Sequence, residues 1–537
     1  MKLSREMLKN PDMQKIRGVT LPAYDTELMR AATEEAPIWV HFGAGNIFRG
    51  FIAVLQQRLL NRGLSDKGII AAESFDTDIV DQIYIPYDNL VLSVGLRPDG
   101  KLEKEVVASI SECIKVGDND RESERLAWIF EQPSLQLVSM TVTEKGYAIR
   151  DDRGAPIPSI QKDIDEGPAR ATHVISVVAA LLYRRYRAGA HPIALVSMDN
   201  CSRNGEKLRE AIMTVAEQWA DKNHVDRGFF AWLSDGASVS FPWTMIDKIT
   251  PRPDASVREE LENIGISEMN PVITSKNTYI APFVNAEIPQ YLVIEDDFPA
   301  GRPPLEQAGV LFADRKTVGD CERMKVTVCL NPLHTALAVY GCLLGYTRIH
   351  EEMKDAALVK LIEGIGYGEG LKVVANPKII DPEAFIKEVI EERFPNPYIP
   401  DAPQRIATDT GLKIPIRFGE TLKSCAERDD LDIRSLRFIP LAIAGWFRYL
   451  LAVDDFGRRF EPSPDPVAAP LAKALSDVVW DDKESYKGQL APILRNKDMF
   501  GADLVECGLS DKIEGFFVEM LAGVGAVRAT LERHTSA

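Results

Sequence analysis

Basic charge is in short supply in this 537-residue chain. Lys and Arg number 63 against 80 Asp and Glu, for a net charge of −17. Nucleic acids and anionic membranes are bound through basic surfaces, so neither is expected as a partner. An anionic small molecule is not excluded, because one local Arg/Lys cluster can override the global field. Cysteine is sparse too: seven residues, with no C-x-x-C. Free thiols in a reducing cytoplasm are the simplest account. The seven histidines (His41, His173, His191, His224, His334, His350 and His534) form no H-x-H or H-E-x-x-H, so no metal site is expected. No apolar run approaches the ~18 residues of a membrane span. The start, Met1-Lys2-Leu3-Ser4-Arg5-Glu6, lacks the apolar core of a signal peptide. Repeats and low-complexity tracts are missing as well.

What remains is a globular composition, 45% apolar and 27% charged. The length is enough for more than one core, so two domains are expected. The most informative stretch is Ile38-Trp39-Val40-His41-Phe42-Gly43-Ala44-Gly45-Asn46-Ile47-Phe48-Arg49-Gly50-Phe51. A short apolar run ends in Gly-x-Gly, and an apolar-periodic segment over 47–60 follows at once. This reads as strand, tight turn and helix, the arrangement that brings backbone N–H groups up to a pyrophosphate. A second apolar run, Gly68-Ile69-Ile70-Ala71-Ala72, closes with Glu73. An acid there is where a dinucleotide fold holds the adenosine ribose, with Asp76 just beyond it as the other candidate. The pattern departs from G-x-G-x-x-G at its third glycine, where Phe48 stands; Gly50 comes two residues late. An ordinary strand-to-helix turn would use the same glycines.

The first third alternates strand-like and helix-like segments, as a doubly wound α/β fold requires. Strands are expected over 135–143 and 192–198, and helices over 173–187 and 205–220. Their polar ends, Thr143-Glu144 and Asp199-Asn200, fall where such sheets bind ligands. Asn204 suits a helix cap. From 251 to 320 the pattern loosens, and Phe298-Pro299-Ala300-Gly301-Arg302-Pro303-Pro304 reads as a loop. Beyond about 320, apolar residues recur at helical spacing through 324–346, 354–365, 382–393, 435–451, 467–480 and 513–532. The expected architecture is therefore a Rossmann-like domain over 1–320, with an extended 251–320 region, and a mainly helical domain over 321–537.

Lys325-Val326-Thr327-Val328-Cys329-Leu330-Asn331-Pro332-Leu333-His334 is the second informative stretch. It sets a lysine, an asparagine and a histidine at the start of an otherwise apolar helix, and Asn331 and His334 share a face. Carbonyl reduction needs a proton donor and hydrogen-bond donors for the developing oxyanion, which these residue types can supply. A satisfied core histidine and a snorkelling lysine would look the same.

Five segments in order, 41–51, 141–147, 197–205, 245–251 and 325–334, resemble the polyol-specific long-chain dehydrogenases, which include mannitol 2-dehydrogenases and fructuronate and tagaturonate reductases. The opening turn is also similar to that of the shorter mannitol-1-phosphate 5-dehydrogenases. The resemblance implies a zinc-independent NAD oxidoreductase with its active site in a cleft between the domains. Gly43, Gly45, Asn46, Ile47, Phe48, Arg49, Glu73, Asp76, Thr143 and Glu144 would bind the cofactor. Lys325 would be the general acid/base, Asn200 and Asn331 would cradle the carbonyl oxygen, and His334 would orient the substrate. Asp247, in Ile-Asp-Lys-Ile-Thr-Pro, would tune or relay the lysine proton, and Arg405 and Lys413 would contact substrate oxygens. The chain is longer than typical mannitol dehydrogenases, which favours the sugar-acid branch: fructuronate to mannonate, with tagaturonate to altronate next. The alternatives are a mannitol or arabinitol dehydrogenase, or a mannitol-1-phosphate 5-dehydrogenase. A monomer or small homo-oligomer acting on a sugar acid or polyol in the cytoplasm is expected.

One departure matters. The family spaces its motif Lys-x4-Asn-x2-His, whereas this chain has Lys-x5-Asn-x2-His and places Val326 at the usual lysine position. On a regular helix the extra residue turns Lys325 from about 80° to about 180° away from His334. Lys325 serves only if the helix carries a one-residue bulge or if Lys325 precedes its first regular turn. Pro332 makes irregularity plausible, or else begins the helix. This spacing is also the one feature favouring an alternative from another class, a catalytically inactive NAD-binding sensor.

Overall fold

The computed structural model describes residues 1–10, 18–117, 120–151 and 153–536. It divides into two compact units, Met1–Gly319 and Asp320–Ala537.

Six strands form the central sheet of the first unit: β1 (Trp39–Phe42), β2 (Ile69–Glu73), β3 (Ile110–Lys115), β4 (Leu137–Met140), β5 (Ile193–Ser197) and β6 (Val239–Ser240). All pairs are parallel, and the order is β3-β2-β1-β4-β5-β6. This is the order of a doubly wound dinucleotide fold, which reverses direction between β1 and β4. Its strands read as continuous apolar runs because both faces are covered. Val40, Phe42, Val138, Met140 and Leu195 pack on one side, against α2 (Asp120–Glu131), α3 (Val174–Arg187) and α4 (Asn204–Asp221). Trp39, Ala71, Leu137 and Val196 pack on the other, with α1 (Ala53–Asn61).

The loosened 251–320 stretch is not mainly loop. Phe283–Glu287 completes a four-stranded mixed sheet with Val91–Leu96, Leu102–Val107 and Val19–Thr20. Tyr291–Glu295 pairs with Thr244–Asp247 on one side and Leu311–Ala313 on the other. Sequence periodicity misses these strands because they are short and their partners lie far away in the chain.

The second unit is helical among its described residues, and π-turns interrupt its helices repeatedly: Lys325–Cys329, Gly364–Glu369, Val389–Arg393 and Pro415–Gly419. Such turns insert one residue into a helix and are rare. One strongly apolar helix is α5 (Asn331–Leu344), in which all residues but Asn331 and His334 are buried. The longer run Arg315–Leu344 is long and apolar enough to cross a bilayer by length and composition, but 78% of its most apolar window is buried in protein, as in a core helix.

Candidate functional site

In the first unit the site is built from backbone. Gly43 has φ +102°, and a Cβ there would lie 2.3 Å from the Thr141 carbonyl oxygen, so only glycine fits where the chains leaving β1 and β4 touch. A Cβ on Gly45 would meet nothing within 4 Å, which leaves the backbone open to an approaching pyrophosphate. The first amide bonded back into the helix is that of Arg49, to Gly45 O at 3.2 Å. The amides of Asn46, Ile47 and Phe48 therefore stand at a helix N-terminus without intrahelical partners, as anion binding requires. These residues fit a dinucleotide.

The side chains around this turn brace it. The Phe48 ring is buried and stacked on His41, with centroids 4.4 Å apart and planes 7° apart. Arg49 is buried and donates to Ala281 O and to Asn46 Oδ1, each at 2.7 Å. Both are expected from the sequence to contact the cofactor; position 48 presents backbone only, and the Arg49 guanidinium is spent on the protein. A π-turn over Phe48–Ile52 places Gly50 against Val284, where a Cβ would approach Cγ2 to 3.0 Å. Gly50 thus supplies the close helix packing expected of the motif's third glycine. His41 is buried between Ser139 Oγ (2.6 Å from Nδ1) and Thr141 Oγ1 (2.9 Å from Nε2), and burial lowers its pKa to about 3.

Glu73 ends β2, as expected, but its carboxylate is already occupied. Oε2 accepts from the Ala44 amide (2.7 Å) and Oε1 from those of Phe75 (2.8 Å) and Asp76 (3.0 Å). Asp76 is buried; Thr274 Oγ1 donates to its Oδ2 at 2.7 Å, and its Oδ1 has no hydrogen-bond partner.

At the ends of β4 and β5, Asp199 is the organiser. Its carboxylate accepts from the amides of Val142 (2.9 Å) and Thr143 (3.0 Å) and from the Tyr147 hydroxyl (2.6 Å). These bonds hold Thr143 in its left-handed conformation, φ +65°. Thr143, Glu144 and Asn200 are exposed beside this clip, and Glu144 pairs with Lys207. Asn204 is not the cap of α4 but its first residue. Its buried amide bonds Asp199 O, Thr244 O and Thr244 Oγ1, and its Oδ1 accepts from the Thr244 amide. That clamp fixes the strand on which Asp247 sits, buried.

In the second unit the site is built from side chains. Lys325 opens a π-turn whose closing bond runs from the Leu330 amide to Lys325 O, 3.1 Å, over five residues. Leu330 then leaves helical geometry, and α5 restarts at Asn331 with Pro332 in its first turn, where a missing amide is harmless. Bulge and restart both occur. The π-turn contains one more residue than a regular turn, matching the one extra residue of the spacing, and the break at Leu330 separates it from α5. Lys325 is buried.

Around His334 lies a charged cluster. Its Nε2 is 3.4 Å from Asp401 Oδ2, and its ring packs on Phe394 at 5.0 Å. Burial lowers the His334 pKa more than Asp401 raises it, and Arg417 and Arg405 push it the same way as burial. Burial would raise the Asp401 carboxyl, but His334 and Arg405 hold it below the usual range. Arg405 pairs directly with Asp401. Lys413, on the helix Thr410–Ile414, donates to Thr408 O, and burial and the nearby Arg417 lower its pKa. The structure thus brings His334, Arg405 and Lys413 together, and adds Asp401 and Arg417, which sequence reasoning missed. Asp401 stands four residues before Arg405, a legible i,i+4 pair. Arg417, four after Lys413, carried the weaker signal of a recurring cation.

Comparison with known proteins gives a consistent result. The mannitol dehydrogenase Rossmann domain matches residues 37–307, and the mannitol dehydrogenase C-terminal domain matches 318–515. The chain is 51% identical over 534 residues to a Thermotoga maritima protein named D-mannonate oxidoreductase, covering 99% of this chain and 98% of that one. It is 31% identical to a mannitol 2-dehydrogenase of Cereibacter sphaeroides, covering 93% and 96%. Among solved structures, the ternary complex of Pseudomonas fluorescens mannitol 2-dehydrogenase with NAD and D-mannitol is similar with TM-score 0.69 and 27% identity, covering 99% of each chain. A substrate-free D-sorbitol dehydrogenase shares the fold at TM-score 0.81 and 24% identity, covering 99% and 100%.

Proposed function

The chain belongs to the mannitol dehydrogenase family, and from that premise we propose that it is an NAD-dependent oxidoreductase interconverting a hexuronate ketone and an aldonate, D-fructuronate and D-mannonate. The observation that carries the substrate class is the full-length 51% identity to a protein named for mannonate. The π-turn at Lys325 supports catalysis, because it accounts for the spacing that favoured an inactive sensor.

In this reading the amides of Asn46, Ile47 and Phe48 hold the pyrophosphate, and Asp76, whose Oδ1 has no hydrogen-bond partner while Glu73 is taken up by amides, is the acid that favours NAD. No arginine lies between Glu73 and Asp88 to receive a 2′-phosphate. NADH, when bound, supplies the hydride. The Lys325 ammonium gives its proton to the carbonyl oxygen, so that C=O becomes CH–OH, and Asn331 and Asn200 donate hydrogen bonds to the charge that builds there. His334, with its Nε2 3.4 Å from Asp401, orients the substrate hydroxyls. Asp247 relays or tunes the lysine proton.

A panel of D-fructuronate, D-tagaturonate, D-fructose and fructose 6-phosphate, each with NADH and NADPH, tests this. Fructuronate with NADH is expected to give the highest kcat/KM. Fructose turning over as efficiently would replace the sugar-acid reading with the polyol one, and no oxidation of NADH with any of the four would leave the sensor.

A further inference from the structure

A uronate substrate carries a carboxylate, and this chain must meet it with cations. Arg405 and Lys413 are the two that the sequence offers. The tertiary structure separates Arg405 from that task. Its side chain is 65% exposed, and its charge is already matched by Asp401. Arg417 is the opposite case. It lies half-buried in the π-turn Pro415–Gly419, and among the described residues no carboxylate pairs with it. Burial lowers its pKa to about 10, with no acid nearby to restore it. A desolvated guanidinium without a counter-ion is costly to keep. The fork of a guanidinium suits one ligand above others, an oxyanion gripped by parallel N–H bonds.

The position of Arg417 is fixed by the reaction helix itself. Its Nη1 donates to Thr335 Oγ1, and the Thr335 hydroxyl donates in turn to Asn331 O at 2.9 Å. The guanidinium is thus tied to the turn of α5 that carries Asn331 and His334, next in sequence to His334. Lys413 feels its field, as does His334. An anion held by Arg417 and Lys413 therefore belongs to the same ligand that meets Asn331 and His334.

We propose that Arg417, with Lys413 beside it, is the specificity-determining cation that receives the substrate carboxylate, while Arg405 braces Asp401 against His334. This rests on the sugar-acid reading above.

Steady-state kinetics of the full chain with NADH, on D-fructuronate and on the neutral D-fructose, decide it. For Arg417→Met the ratio of kcat/KM values, fructuronate over fructose, should fall about 100-fold, mostly through KM for fructuronate. Arg417→Lys keeps the charge without the fork and should lose about tenfold. Arg405→Met should lower the ratio less than Arg417→Met does. Stabilisation of the parent by D-mannonate in a thermal-shift titration should vanish in Arg417→Met. A parent that favours fructuronate, with the ratio in both Arg417 variants within threefold of it, overturns the assignment alone; if Arg417→Met does not fold, the ratio in Arg417→Lys decides. A parent without preference for fructuronate overturns the sugar-acid reading, and the inference falls with it.

Discussion

The turn after β1 and the cluster around His334 handle charge by opposite means. The turn is made of backbone: Gly43, Gly45 and three amides at a helix start, with the nearby Glu73 carboxylate fully bonded to amides and His41 held neutral. The cluster is made of side chains: His334, Asp401, Arg405, Lys413 and Arg417. In the function proposed above, the difference follows from what each must recognise. A pyrophosphate is met by dipoles that every residue carries, so such a site needs only the right φ and no Cβ in the way. A sugar carbonyl and its oxygens need specific donors and a mobile proton, which only side chains provide. The turn should therefore be sensitive to shape and the cluster to chemistry.

The largest effect expected is chemical. Lys325→Ala should lower kcat by about 10² to 10⁴, the range for losing a general acid, with NADH affinity nearly unchanged. Stopped-flow turnover together with NADH fluorescence titration checks both halves. A kcat close to the parent's would mean that the π-turn does not bring the lysine into register.

Gly43→Ala tests the turn by shape alone. A Cβ at φ +102° and 2.3 Å from the Thr141 carbonyl oxygen should cost roughly 2–5 kcal/mol of stability. NADH binding should weaken at least tenfold, while the charged cluster of the second unit is untouched. Urea unfolding and NADH titration measure the two effects; an unchanged Kd would show that the turn does not form the cofactor cradle.

The smallest effect is on acid stability. His41 has its pKa lowered from 6.5 to about 3 by burial, so the folded chain keeps it neutral while the unfolded chain protonates it below 6.5. The stability it contributes is complete above pH 6.5 and is lost as pH falls towards 3, about 2 kcal/mol of it by pH 5. His41→Gln should flatten this part of the stability–pH curve of the first unit. Equal slopes in parent and variant between pH 7 and 5 would mean that His41 does not set the acid limb.

Much of this was legible in the residues. The strand, Gly-x-Gly and helix at 38–51 produced the β1 turn, and the apolar runs at 192–198 and 205–220 produced β5 and α4, because burial on both faces of a parallel sheet leaves a strong local pattern. The mixed sheets built from 283–295 were not legible, since their pairing is non-local. Nor was the difference between Arg405 and Arg417. The family resemblance singles out Arg405 and passes over Arg417, and only the fold shows that, among the described residues, Arg405 has an acid beside it and Arg417 has none.

By itself the sequence determined the doubly wound order of elements, the glycine turn and the set of residue types able to reduce a carbonyl. Those depend on local φ, period and chemistry, which a chain carries wherever it goes. Only the tertiary structure showed that a π-turn opens at Lys325, because a hydrophobic period cannot place a single inserted residue in a helix. It alone also decided which charges are compensated, because compensation depends on distances between residues far apart in the chain.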